Sequence, residues 1–489
     1  MTAVAVDAPV QRPAASARPL AWLRERGMGA SVLVAALSSA FAVVLMSTTA
    51  FISLLLRSDP FIGESETLVF ILGFLTVLLV GVAVYVAAIV TANTFATVVA
   101  GRTRQIALLR LIGASAKAQR AEVARQGLIV GAIGAALGFV IGVGLSLGGA
   151  LLAVQMMDLV LVDDVTTLLQ PLLALPVVVV ALTTWGAAWA GSRRVLTVTP
   201  LQALGGSVEP TRETVARRSG RNITALVLFV IGGGMLALGI AVGLVTPLGV
   251  AISFLGGIFS FTALALGATL VMPPVLRLVG RLFGRSATAR LAAENALRYP
   301  ERSSRMAIGV VMGVTLVTMF AVALETVKAV LTASSGGELD PGMATLIDSF
   351  SAIMMTLVAV SAVIAGVGLV NLLTIGVVQR RRELGLLRAL GMSNAQVRRM
   401  VLLEAAHVTI AALTTGLVLG IAYGWAGAQS VLGSVRFPPA WLSPTFVPPA
   451  VPLWPVVAVV VATAVLTLVA AVVPTRLATR VAPVAALAE

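Results

Sequence analysis

Arg102-Thr-Arg-Gln-Ile-Ala-Leu-Leu-Arg-Leu-Ile-Gly-Ala-Ser115 returns 278 residues later as Arg380-Arg-Arg-Glu-Leu-Gly-Leu-Leu-Arg-Ala-Leu-Gly-Met-Ser393. The shift aligns Arg104 with Arg382, Leu108 with Leu386, Leu109 with Leu387, Arg110 with Arg388, Gly113 with Gly391 and Ser115 with Ser393, without a gap. It also pairs Asn93 with Asn371 upstream, and Gly138 with Gly416 and Gly142 with Gly420 downstream. Apolar segments resemble one another through composition alone, but not at their polar and glycine positions. The chain is therefore read as internally duplicated.

The residues around this pair are mostly apolar. Of 489 residues, 59% are hydrophobic and 11% charged, and the mean hydropathy is +1.04. A soluble protein of this size could not cover its surface with so few charges. Ten apolar runs stand out, near 29–56, 68–97, 126–154, 172–191, 222–246, 249–276, 306–330, 346–377, 401–430 and 453–474. Each is about as long as a membrane-crossing helix requires, or longer. With the N-terminus in the cytoplasm, 31 of the 34 Lys and Arg fall on that side, and only Arg57, Lys328 and Arg436 on the other. The positive-inside rule then places both termini in the cytoplasm of a bacterial inner (plasma) membrane. The net charge of +14 is thereby read as topology, and no nucleic-acid partner is expected.

The expected fold is all-α and integral to the membrane. A cytoplasmic tail (1–27) precedes a first four-span module (28–205), a linker with a two-span hairpin (206–285), and a second four-span module (286–489). An even number of spans separates the modules, so they are parallel, related by a pseudo-twofold axis along the membrane normal. Such a chain is a pseudo-dimer in itself, and no obligate homodimer is expected. The outer loops are short and carry acids, such as Asp59, Asp163 and Glu338, read as solvated caps.

The repeated segment reads as a short cytoplasmic helix. Ile106, Leu109 and Ile112, or Leu384, Leu387 and Leu390, recur every third residue with cations between them. Gly113 and Gly391 suit helix ends, and Ser115 and Ser393 suit the cap of the next helix. The result is an elbow with an exposed basic, leucine-rich face. Lipid headgroups could hold one such face. Two copies with one order of Leu-Leu-Arg, Gly and Ser favour a docking partner.

Other chemistry is sparse. There is no cysteine and one histidine, so no metal centre and no catalytic group is expected. His407 and Glu404, three residues apart, read as a structural hydrogen-bonding pair rather than a proton relay. Gly134, Gly138 and Gly142, with Gly127 and Gly131, and Gly416 and Gly420, with Gly424, follow small-xxx-small spacing and are expected to pack helices closely. The Pro-rich loop from Arg436 to Trp454 carries aromatics of an interfacial belt.

Three stretches then make a family resemblance. Arg382 to Gly391 followed by Glu404, Asn295-Ala-Leu-Arg-Tyr-Pro-Glu-Arg302, and Pro-x-x-Ala-Leu ending at Leu204 and Leu487 together resemble the signature of FtsX/MacB-like ABC permeases. The resemblance implies that Arg104, Leu108, Leu109, Arg110 and Gly113, and Arg382, Glu383, Leu386, Leu387, Arg388 and Gly391, form two coupling helices. These would dock on two copies of a cytoplasmic ABC ATPase, which would hold the ATP and Mg. The chain has no Gly-x-x-x-x-Gly-Lys-Ser/Thr loop, so it is expected to carry no cofactor and no ATPase site of its own. Two departures matter. Gln105 and Gln126 stand where the second copy has Glu383 and Glu404, which makes the docking sites unequal. The first outer loop of each module (57–67 and 325–345) is too short for the extracytoplasmic domain many relatives carry. That favours export or extraction of a lipophilic, membrane-embedded substrate. The alternatives are a transducer acting on cell-wall hydrolases or antimicrobial peptides, and an ion-coupled transporter, which the scarcity of charge at mid-span disfavours.

Overall fold

A computed structural model describes residues 28–57, isolated positions between 73 and 99, and residues 103–156, 171–197, 219–282, 286–298, 300–335, 386–436, 443 and 445–479. The described residues are helical or irregular, with no strand among them. The helices are α1 (Met28–Arg57), α2 (Thr103–Leu111), α3 (Ala116–Met156), α4 (Leu175–Gly191), α5 (Ser219–Gly243), α6 (Gly249–Gly280), α7 (Ala287–Arg298), α8 (Pro300–Ser334), α9 (Asn394–Leu432) and α10 (Leu453–Thr479).

Seven of these, α1, α3, α4, α5, α6, α8 and α9, are long and apolar enough to cross a membrane, and α10 holds a shorter apolar stretch, Leu453–Val469. The chain is thus a multi-pass, all-helical membrane protein. Of the ten apolar runs, the one at 346–377 lies outside the described residues, and the one at 68–97 is described only at isolated, helical positions. The third and ninth runs are longer than their apolar cores. The helices begin ten and seven residues earlier, at Ala116 and Asn394, directly after the capping serine.

In lipid, helices gain little from burying apolar groups against one another, so close backbone contact and hydrogen bonds hold them together. Glycine supplies that contact here. On α3, Gly134 faces Ala35 of α1, where a Cβ would lie 2.6 Å from the alanine methyl. Gly138 and Gly142 continue the row, with would-be Cβ atoms 2.8 Å from the Cβ of Ser39 and of Val43. On α9, Gly416 and Gly420 sit in the same way against Val314 and Thr318 of α8, at 2.8 and 2.5 Å. Gly127 and Gly131 lie on the same stripe nearer the start of α3 and meet Ala188 and Thr184 of α4.

The two glycine rows match in detail. Gly138 abuts Ala36 and Ser39, and Gly142 abuts Ala40 and Val43. Gly416 abuts Val311 and Val314, and Gly420 abuts Thr315 and Thr318. The glycines differ in number by 278 and their partners by 275, so the same contact recurs with a three-residue difference in the intervening chain.

Hairpin α5–α6 is tightly closed: a Cβ on Gly239 would lie 2.6 Å from the Ser253 nitrogen. Its α6 runs antiparallel to α9 in one register. Ser253 and Ser430 hydroxyls are 2.6 Å apart; seven residues on along α6 and seven back along α9, Ser260 and Tyr423 share a hydrogen bond. Sixteen residues further, the His407 Nε2–H donates to the Leu276 carbonyl at 2.6 Å. Apolar side chains fill the spaces between, with Met272, Leu276, Val311, Met312, Ala411 and Ala412 fully enclosed. A hydroxyl pair also links α6 to the chain before the first elbow, Tyr85 to Thr262 at 2.8 Å.

Two outcomes test this packing. Gly420→Leu should destabilise by about 1–3 kcal/mol through overpacking. Gly427→Leu on the same helix, where a Cβ meets nothing within 4 Å, should be nearly neutral in thermal unfolding in detergent; equal shifts would contradict the glycine contact. In the cysteine-free chain, Ser253→Cys with Ser430→Cys should form a disulfide under mild oxidation, seen as a mass loss of about two hydrogens that reductant reverses. Free thiols after oxidation would refute the register.

Candidate functional site

The two elbows are closed by the same hydrogen bonds. Gly113 takes φ +103°, its N–H donates to the Arg110 carbonyl at 3.2 Å, and the Ala114 N–H donates to the Leu109 carbonyl at 2.9 Å. Gly391 takes φ +102°, its N–H donates to Arg388 at 3.0 Å, and the Met392 N–H donates to Leu387 at 3.0 Å. A left-handed residue carrying this pair of bonds is the Schellman helix stop. It demands glycine, because a Cβ costs roughly 1–2 kcal/mol there.

The serine two residues later starts the next helix in both copies. The Ala118 N–H donates to Ser115 Oγ at 3.1 Å. The Gln396 N–H donates to Ser393 Oγ at 3.2 Å, and the Ser393 N–H donates to Gln396 Oε1 at 2.9 Å, completing a reciprocal capping box. The first copy has Ala118 where the second has Gln396, and so has half of that box.

The three-residue apolar stripe does not form a single face. Ile106 is buried with Ala107 and Val99 against Val123, Leu109 is half-buried, and Ile112 is 82% exposed. Steps of three fall about 60° short of a full turn, so such a stripe winds around the helix. The outward apolar groups are instead Leu108 (51% exposed) with Leu111 and Ile112, and Leu386 (51%) with Leu390 (75%). Leu387 turns inward with Met392, against Ala292 of α7 and Val397, Met400 and Val401 of α9. Arg110 and Arg388 are both half-buried. Arg104 lies in α2 with its side chain outside the described residues, as are Arg382 and Glu383 entirely.

Each elbow is tied to its own surroundings. After the first, the Arg120 guanidinium stacks 3.8 Å from the Trp189 ring and donates to the Trp189 carbonyl at 3.1 and 3.3 Å, at the negative end of α4. Exposed Arg125 pairs with Glu122 at 2.8 Å, and buried Gln126 donates to Glu122 at 3.3 Å. Behind the second elbow, α7 is held to α8 by Ser303 Oγ donating to the Ala296 carbonyl at 2.7 Å. Buried Glu404 and fully enclosed His407 stand on α9, where the imidazole is committed to Leu276 on α6, a role that spacing along one helix could not reveal. Among the described residues, no three His, Asp or Glu side chains gather closely enough to hold a metal.

Known proteins resemble this chain in sequence. The family model described as FtsX-like permease C-terminal matches residues 77–200 and 355–483, just over half the chain, and the two matches begin 278 residues apart. The ABC transporter permease YtrF of Bacillus subtilis is 32% identical over 66 residues, 13% of this chain and 15% of that protein. The uncharacterized ABC transporter permease YknZ of the same organism is 29% identical over 96 residues, 19% of this chain and 23% of that protein. A probable export ATP-binding/permease protein of Pseudomonas fluorescens is 33% identical over 75 residues, 15% of this chain and 12% of that protein. The matched stretches thus span less than a quarter of each of these relatives. Coverage by the family model, rather than any single relative, decides the matter: the chain belongs to the FtsX-like permease family of ABC transporters.

Proposed function

We propose that this permease transmits the work of a separate cytoplasmic ATPase to a lipophilic or membrane-embedded substrate, which it exports or extracts. Its two elbows serve as the docking points, one for each of two ATPase copies, which hold the ATP and Mg. Both termini lie in the cytoplasm of a bacterial inner membrane, and the two four-span modules face each other as a pseudo-dimer with lipid around them. The observation that supports docking most directly is the matched outer surface of the elbows. Leu108 and Leu386 are each 51% exposed beside the same glycine stop. Apolar groups held outward by a rigid turn suit an apolar cleft on a partner, since pre-ordered side chains lose little entropy on binding.

ATP binding would draw the two ATPase copies together and move the elbows with them. Because Ser115 and Ser393 join each elbow directly to a long helix, a push on either is delivered along α3 or α9 without slack. The glycine contacts then carry it to α1 and α8.

The variants to test are Leu386→Asp and Leu390→Asp. Their side chains face outward, whereas Leu387→Asp would also disrupt packing against α7 and α9. Affinity purification of the parent should recover an ATPase, and the double variant should lose that capture by about tenfold or more, as expected for central contacts of an interface. Gly391→Val should uncouple ATP hydrolysis from transport and lower stability by about 1–2 kcal/mol. A stably folded Leu386→Asp/Leu390→Asp protein that still binds the ATPase and transports normally would sink the proposal.

A further inference from the structure

At the end of α9 remote from its elbow, side chains rather than secondary structure hold a stretch of irregular chain. Gln429 stands 35 residues beyond Asn394, about 50 Å along the helix at 1.5 Å per residue. It is 2% exposed and directs its amide at the backbone of 445–447. The Val447 N–H donates to Gln429 Oε1 at 2.7 Å, and Gln429 Nε2 donates to the Thr445 carbonyl at 3.0 Å. These are the paired bonds that a neighbouring strand would offer. One turn earlier, Trp425 Nε1–H donates to the Val447 carbonyl at 2.8 Å. From α8, buried Thr326 Oγ1 accepts the Ala450 N–H at 3.1 Å. Val447 itself is fully enclosed with Ala428 and Leu432 of α9, beside Val327 and Val330 of α8.

Pro448, Pro449 and Pro452 stiffen this segment and bring no N–H that would need a partner. A buried primary amide is costly unless its hydrogen bonds are met, and Gln429 meets them only while the segment stays in place. The 278-residue shift puts Leu147 and Leu151 where Trp425 and Gln429 stand, and neither leucine can hold a backbone in this way.

We propose that residues 445–450 form a permanent clamp. It closes the second module at the end remote from its elbow and leaves movement on that side to the first module. The segment is then a structural seal across α8 and α9, not a lid that rises in each cycle. This does not depend on the docking role of the elbows.

The test uses the full cysteine-free chain in membrane vesicles of both orientations, with a membrane-impermeant maleimide. Exposed Arg436→Cys serves as the reactive control and identifies the relevant side. Ala428→Cys, buried beneath Val447, should react at least tenfold more slowly, as protection by a closed structure requires. Adding Gln429→Leu should raise that rate by about tenfold, and adding Trp425→Phe, which removes one N–H donor and part of the ring beside Phe446, should raise it less. Ala150→Cys, the counterpart of Ala428 in the first module, is itself buried against Ala50, Phe51, Leu147 and Val154; with leucines where Trp425 and Gln429 stand, opening of that module should make it react faster than Ala428→Cys. Ala428→Cys reacting as fast as the control would overturn the clamp, as would an unchanged rate with both Gln429→Leu and Trp425→Phe. Equal rates at 150 and 428 would overturn the difference between the modules.

Discussion

Direct contact between helix backbones is the constraint on which the rest of this protein depends. Lipid tails compete with leucine on equal terms, so a membrane bundle needs surfaces that fit one another better than they fit lipid. Gly134, Gly138 and Gly142 give α3 a smooth groove for α1, and Gly416 and Gly420 give α9 one for α8. In such a groove dispersion contacts accumulate at short range along several turns. Two helices joined in this way behave as one unit, and an elbow stands at one end of each pair.

The elbows share a stop and differ in their support. The left-handed glycines and the paired carbonyl bonds are the same in both, so the exit angle of the chain is the same. Behind the second elbow lie α7 and a full capping box; behind the first lie Val99, Val123, the Arg120–Trp189 contact and half of that box. The elbows thus share an outward leucine, Leu108 or Leu386, and the same turn, yet each rests on a different set of neighbours.

Much of this was legible in the residues. Apolar runs marked the helices, and Gly followed by Ser two residues later marked the turns, because each of those residue types has a conformational reason to be there. The inner and outer faces of the elbow were not legible, since Ile106, Leu109 and Ile112 look equivalent until the winding of the helix and the position of Val123 are known. Isolated Ser253, Ser260 and Ser430 pass in sequence as tolerated small residues; only the antiparallel alignment of α6 with α9 makes them pairs. Gln429 carried a usable signal. A primary amide amid Ala, Val and Leu near the end of a long apolar helix requires partners, and the nearest backbone able to supply them is the proline-rich stretch that follows.

The three-residue difference between the glycine helices and their partners has a practical corollary. It arises after the last matched contact, Val43 with Thr318, and before the family-matched stretches that begin at 77 and 355. The two copies thus differ in length within the interval that takes in the end of the first helix and the chain leading to the second, while the register on either side is kept. That connection is where an epitope, a fluorescent protein or a sensor domain can be grafted into either half, provided the graft returns the chain where it left it.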